Sequence, residues 1–134
     1  MGVLSTNNSS VFNLSYLLIL LIDEDKDSIS LNISNALKEI FNNIAPNYNI
    51  TLQAWNLEED VFKINFTAHP NSSISKFINS YKSTSSRLIK KQYFQTSNFW
   101  TNSFLLLTLG ELPIDNIEEF IISQRNKREK RKKK

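Results

Sequence analysis

Ser75-Lys76-Phe77-Ile78-Asn79-Ser80-Tyr81-Lys82-Ser83-Thr84-Ser85-Ser86-Arg87-Leu88-Ile89-Lys90-Lys91 is the stretch around which this chain organises itself. With Ile74, the residues Phe77, Ile78, Tyr81 and Leu88 recur at helical steps and form one apolar stripe. Asn71 or Ser72 can cap the helix, which runs to about Lys91. At about 100° per residue, Lys76, Arg87 and Lys90 point away from the stripe. Downstream, Asn102 to Leu109 reads as a strand closed by Gly110 and Pro113. Asp115, with Glu118 three residues on, then opens a helix whose apolar face is Ile117, Phe120 and Ile121.

Upstream, Val11 to Ile22 is almost wholly apolar, as a strand buried on both faces requires. Ile29, Ile33, Ala36, Leu37, Ile40, Phe41 and Ile44 make a second helical stripe, bounded by Pro46. Asn49 to Leu57 and Val61 to Ala68 are strands joined through Glu58-Glu59-Asp60 as a hairpin. Alternation in the second puts Phe62, Ile64 and Phe66 on one face and Val61, Lys63 and Asn65 on the other. The order βαββαβα predicts an α+β fold: a ferredoxin-like (RRM-like) sandwich with a four-stranded antiparallel sheet and helices on one face. Residues 1–10 are expected to be a flexible N-terminus, 11–124 the folded domain and 125–134 a polybasic C-terminal tail.

The 134 residues suffice for one hydrophobic core. Cysteine is absent, which excludes disulfides and thiolate metal sites. His69 is the only histidine and sits beside Pro70, so it reads as an exposed loop residue. Tyr16, Tyr48, Tyr81 and Tyr93 read as core or surface aromatics, since neither a base nor a metal site accompanies them. The apolar run Leu17 to Ile22 is too short to span a bilayer, has no basic residue before it and is followed by Asp23, Glu24 and Asp25. No membrane association or secretion is expected, and the compartment is intracellular: cytoplasm, nucleoid or organelle matrix.

Charge divides along the chain. Of sixteen basic and thirteen acidic residues, the last ten positions hold eight and one, so the first 124 carry eight basic against twelve acidic, a balance of −4. Lys76, Lys82, Arg87, Lys90 and Lys91 gather most of the body's cations into one helix. The tail cations Arg125, Lys127, Arg128, Lys130, Arg131, Lys132, Lys133 and Lys134 predict a salt-dependent attraction to phosphates that is indifferent to sequence.

The helix Ser75 to Lys91 resembles a pattern S-K-x-x-N-x-x-K-x-x-S-S-R-x-x-x-K, Phe99-Trp100-Thr101-Asn102-Ser103-Phe104 resembles W-S-P-S-Y-F, and Phe120-Ile121-Ile122-Ser123-Gln124 resembles Y-I-x-x-Q. In this order they resemble the single-tyrosine HUH transposases of small insertion sequences, from about Val11 to Gln124, strongly after Ser75 and weakly before it. The opening strand lacks the family's K-Y-R segment, with Asp23-Glu24-Asp25-Lys26 in its place. The resemblance implies a P-D-H-x-H segment on the third strand, whose two imidazoles hold a divalent ion that polarises the scissile phosphate. Here that segment is Glu59-Asp60-Val61-Phe62-Lys63, which puts Val61 and Lys63 at the histidine positions. Phe120 stands at the nucleophilic tyrosine, and Gln124 matches the usual third metal ligand. A phenyl ring has no oxygen to attack phosphorus, and a lone amide does not hold the ion.

The expectation is therefore a catalytically degenerate transposase-like domain with no catalytic residue, no metal and no cofactor. It would bind folded single-stranded DNA or RNA through the cationic helix face and the tail, and would be a homodimer, as the resemblance implies, or part of a larger assembly. Lys63 is either a surrogate for the metal's charge or an exposed strand lysine. A structural subunit of a ribonucleoprotein, its tail in RNA, is the alternative, and an active transposase a third reading.

Overall fold

The computed structural model describes residues 13–23, 30–93, 99–108 and 114–132. Strand β1 (Leu14–Leu21) leads through helix α1 (Leu31–Ile44) to β2 (Ile50–Glu58) and β3 (Val61–Ala68), then helix α2 (Ile74–Tyr93), β4 (Leu105–Thr108) and helix α3 (Ile114–Lys132). All strand pairs are antiparallel and the sheet order is β2-β3-β1-β4. The α+β class, the antiparallel four-stranded sheet and the βαββαβα order are those expected from the sequence. The segment 1–10, the strand start at Val11, the acidic run after Asp23, Ile29, Gly110 and Pro113 lie outside the described residues.

The face of β1 and β3 that carries Leu18, Leu20, Phe62, Ile64 and Phe66 is covered by α1 and α2, whose Ile33, Leu37, Phe41, Phe77, Ile78 and Tyr81 complete the main core. Phe41 sits at its centre, with the rings of Trp55, Phe66, Phe77 and Tyr81 at 5.0 to 6.1 Å. Edge-on ring packing adds to area burial at such a site. Ser30 caps α1, accepting from the Ile33 amide at 3.1 Å. The turn Ala45–Tyr48 stops it at Pro46, and Asn49 takes up left-handed backbone (φ 57°) to redirect the chain into β2.

Three local expectations change. Helix α2 starts after Ser73, whose carbonyl receives the Phe77 amide; Asn71 and Ser72 instead serve the loop, bonding His69 Nδ1 and the Asn49 carbonyl. Ile89, not Leu88, is the buried residue near its end. The fourth strand begins at Leu105, not Asn102, because residues 99–104 leave the ladder: the Asp23 amide bonds the Phe99 carbonyl, Thr101 bonds the Leu21 carbonyl, and Ile22 meets Trp100 in an isolated bridge.

The expectation of helices on one face holds for α1 and α2 only. Helix α3 lies on the opposite face, where Leu17, Ile19, Leu21 and Val61 form a second cluster with Leu105, Ile117, Phe120 and Ile121. The reason is in β1: Leu17 to Leu21 are apolar without alternation, so both faces of the central strand need cover. The helix also runs on to Lys132, past the boundary placed at residue 124. Lys and Arg are good helix formers and favour a helix C-terminus, so the basic residues extend α3 instead of ending it. No helix among the described residues is long and apolar enough to cross a membrane.

Phe41→Ala is expected to destabilise the fold by about 3 to 5 kcal/mol, the usual cost of a large cavity among aromatic rings. Urea unfolding measures it, and a loss below about 1 kcal/mol would remove Phe41 from the centre of the core.

Candidate nucleic-acid interface

The turn between β2 and β3 is two residues long, with Glu59 in left-handed backbone (φ 58°). This places Asp60 inward, 3% exposed, at the end of the sheet. Its carboxylate receives Arg125 through Nη2 at 2.6 Å and Nε at 3.2 Å, and Arg128 Nη1 at 2.9 Å. Arg128 also donates to the Ile22 carbonyl at 3.0 Å, and Arg125 reaches Glu59 at 3.3 Å. Burial pushes the Asp60 carboxyl upward, but the two arginine hydrogen bonds and the Arg125 charge outweigh it and hold the group below its ordinary value. Asp60 raises Arg125 in turn, against the smaller opposing effect of burial. Two expected phosphate-binding cations, Arg125 and Arg128, thus fasten α3 to the sheet.

A groove of about 510 Å³ opens beside this clamp, lined by Glu58, Glu59, Val61, Lys63, Glu118, Ile121, Ile122 and Arg125. Val61 and Lys63 share the sheet face that α3 covers, and Phe120 packs in the same apolar cluster as Val61. Of the four positions singled out on the sequence, Val61, Lys63 and Phe120 are therefore gathered between β3 and α3, whereas Gln124 lies toward Thr101 to Ser103. Lys63 pairs with Glu58 at 3.1 Å on a solvent-accessible surface. Three carboxylates line this groove against two cations, both engaged in ion pairs, so it offers phosphate little attraction. Among the described residues no three acidic or imidazole side chains converge as metal ligands.

The segment before β4 is built from the quoted helix. Trp100 Nε1 donates to Ser85 Oγ at 2.8 Å, Ser85 Oγ donates to the Tyr81 carbonyl at 2.6 Å, and Tyr81 OH donates to the Leu37 carbonyl at 3.0 Å. Burial pushes the Tyr81 phenol well up, so it stays neutral. Lys82 donates to the Thr101 carbonyl at 2.9 Å and lies over the Phe104 ring at 5.9 Å, and burial lowers its affinity for a proton. Lys82 therefore holds the 99–104 segment and is not part of an outward cationic face. Lys76, Arg87 and Lys91 are exposed along α2, and Lys90 is half-buried.

Beyond this segment, Thr101, Asn102, Ser103, Gln124, Lys127 and Lys130 line a second groove of about 310 Å³ on the flank of α3. Lys127 and Lys130 are exposed. The side chains of Arg131 and Lys132, and residues Lys133 and Lys134, lie outside the described set. His69 accepts from the Asn71 amide at 3.1 Å and shapes the loop.

A family model described as "Transposase IS200 like" matches residues 10–124. The chain belongs to the IS200-like transposase family. A candidate transposase from Deinococcus radiodurans R1, known by crystal structure, is 23% identical and superposes with a TM-score of 0.74 over 90% of this chain and 98% of its own. A REP-associated tyrosine transposase bound to a REP hairpin is 9% identical, with a TM-score of 0.56 over 86% of this chain and 68% of its own. At these identities the two structures establish the shared fold. No curated protein matches the chain. Within this family fold, Asp60 is the residue whose role sequence reading passed over. It occupies the aspartate of the P-D-H-x-H resemblance, but its partners lie 65 and 68 positions away in sequence, and only folding joins them.

Asp60→Asn is expected to destabilise the domain by about 2 kcal/mol or more near neutral pH, because it leaves two arginines facing a neutral, partly buried amide. Since the folded carboxyl is lowered, its contribution is present above the unfolded Asp value of about 3.9 and fades as pH falls through the folded one. Denaturation midpoints of the two proteins should therefore converge below about pH 4. A gap that stays constant down to pH 2 would show that the clamp is not ionic.

Proposed function

We propose that this transposase-family domain binds folded single-stranded nucleic acid without cutting it. The observation that carries the reading is the set of side chains gathered between β3 and α3. By resemblance Val61 and Lys63 occupy the positions of the metal-binding histidines and Phe120 that of the nucleophilic tyrosine. A valine offers no donor, and the Lys63 ammonium is paired with Glu58. Phe120 offers no oxygen and packs with Leu17, Ile19, Leu21 and Val61. Covalent cleavage of a phosphodiester needs a nucleophile and a group to neutralise the developing charge; among the described residues this groove carries no hydroxyl, and its cations are held in ion pairs.

Binding is supported separately. Lys76, Arg87 and Lys91 stand exposed along α2 of a body that is otherwise net acidic, and Lys127 and Lys130 stand exposed on α3. A REP hairpin is the ligand of a protein with the same fold, and we extend hairpin binding to this chain on that basis. The ligand in our reading is an RNA or DNA hairpin with accessible single-stranded flanks.

Incubation with single-stranded DNA hairpins and Mg²⁺ or Mn²⁺ should yield neither nicked product nor a covalent protein–DNA adduct on a denaturing gel. Fluorescence anisotropy should show binding that weakens steeply with salt. The variant Lys76→Ala/Arg87→Ala/Lys91→Ala should lower the slope of log affinity against log salt by about 2, at about 0.7 per single-strand phosphate contact. A metal-dependent adduct would overturn the loss of cleavage, and an unchanged slope would move the interface off α2.

A further inference from the structure

Gln124 is 4% exposed, yet its side-chain amide has no hydrogen-bond partner among the described residues. A buried amide left unpaired costs about 1 to 3 kcal/mol, so a ligand oxygen within reach of Gln124 would gain a favourable hydrogen bond. Gln124 lines the groove of about 310 Å³ on the flank of α3. Lys127 and Lys130 stand one and two turns further along α3 and line it too, and neither is ion-paired among the described residues. The far wall, Thr101 to Ser103, carries no charge and is held in place by the Lys82 bond to the Thr101 carbonyl and the Thr101 amide bond to Leu21. Among the described residues no carboxylate lines this groove, whereas three line the groove beside the Asp60 clamp.

Resting on the binding reading above, we infer that the groove between Thr101–Ser103 and α3 seats a backbone phosphodiester of single-stranded nucleic acid. Lys127 and Lys130 neutralise the phosphate, and the Gln124 amide donates a hydrogen bond to one of its oxygens. Thr101 and Asn102 also line a neighbouring hollow with Lys82, Ser83, Ser86 and Trp100. The strand therefore continues from this groove across Asn102 toward α2, where Arg87 is exposed. The phosphate is thus drawn to the flank of α3 away from Val61 and Lys63.

The test uses the full chain and a fluorescein-labelled DNA hairpin with a single-stranded thymidine flank. Lys127→Ala/Lys130→Ala, both at exposed positions, should weaken binding at least ten-fold in low salt and lower the salt slope by about 1.4. Circular dichroism and the denaturation midpoint should match the parent. In an NMR titration with a short thymidine oligonucleotide, the Gln124 side-chain amide resonances should shift at saturations where those of Asn35 and Asn43 on α1 do not. Affinity and slope within two-fold of the parent, or an unmoved Gln124 amide, would overturn the site while leaving hairpin binding intact. If the parent binds no oligonucleotide, both readings fall. Sodium phosphate should compete no better than sodium chloride at equal ionic strength. Displacement by millimolar phosphate would instead reassign the groove to a free phosphate ligand.

Discussion

A single buried carboxylate sets how the third helix sits on this sheet. Asp60 is carried inward by a two-residue turn with a left-handed Glu59, and an aspartate so enclosed must be compensated. Arg125 and Arg128 supply the charge, and Arg128 adds a bond to the end of β1. The apolar contact beneath α3 is small beside the main core, so the clamp determines the register of the helix over the sheet. Everything α3 presents, from Phe120 against Val61 to Gln124 and the lysines beyond, follows from that register.

The two flanks of α3 consequently differ in electrostatic character. On the side of Val61 and Lys63 the carboxylates of Glu58, Glu59 and Glu118 surround cations already committed to ion pairs. On the side of Thr101 to Ser103 the described residues that line the groove carry charge at Lys127 and Lys130 alone. Charge that is neutralised within the protein steers no ligand, and charge left open does. Basic residues close together in sequence thus divide into internal braces and outward contacts.

The residues that carry the family resemblance divide in a similar way. Ser85 and Trp100 bond each other in the interior, and Lys82 spends its ammonium on the Thr101 carbonyl. Their spacing along the chain was readable, but their purpose was not, because each pairing closes a loop of fifteen to nineteen residues. The core of α1 and the alternation of β3 were legible for the opposite reason: periodicity is local, and Ile33, Leu37, Phe41, Phe62, Ile64 and Phe66 all lie where it places them. Leu88 and Ile89 are not separated by periodicity, since adjacent apolar residues on a helix differ by only about 100° and the neighbouring element selects between them.

By itself the sequence determined the element order, the antiparallel sheet and the identity of most core residues. Those properties depend on residue type and short-range repeat. Tertiary structure alone decided that α3 would cover the second face, because an unbroken apolar run in β1 announces two buried faces without naming what buries the second. It also decided which cations remain available to a ligand. Whether a lysine or arginine is a brace or a contact depends on the carboxylate or carbonyl folding brings to it, and Asp60 and Thr101 reach their partners only across the folded chain.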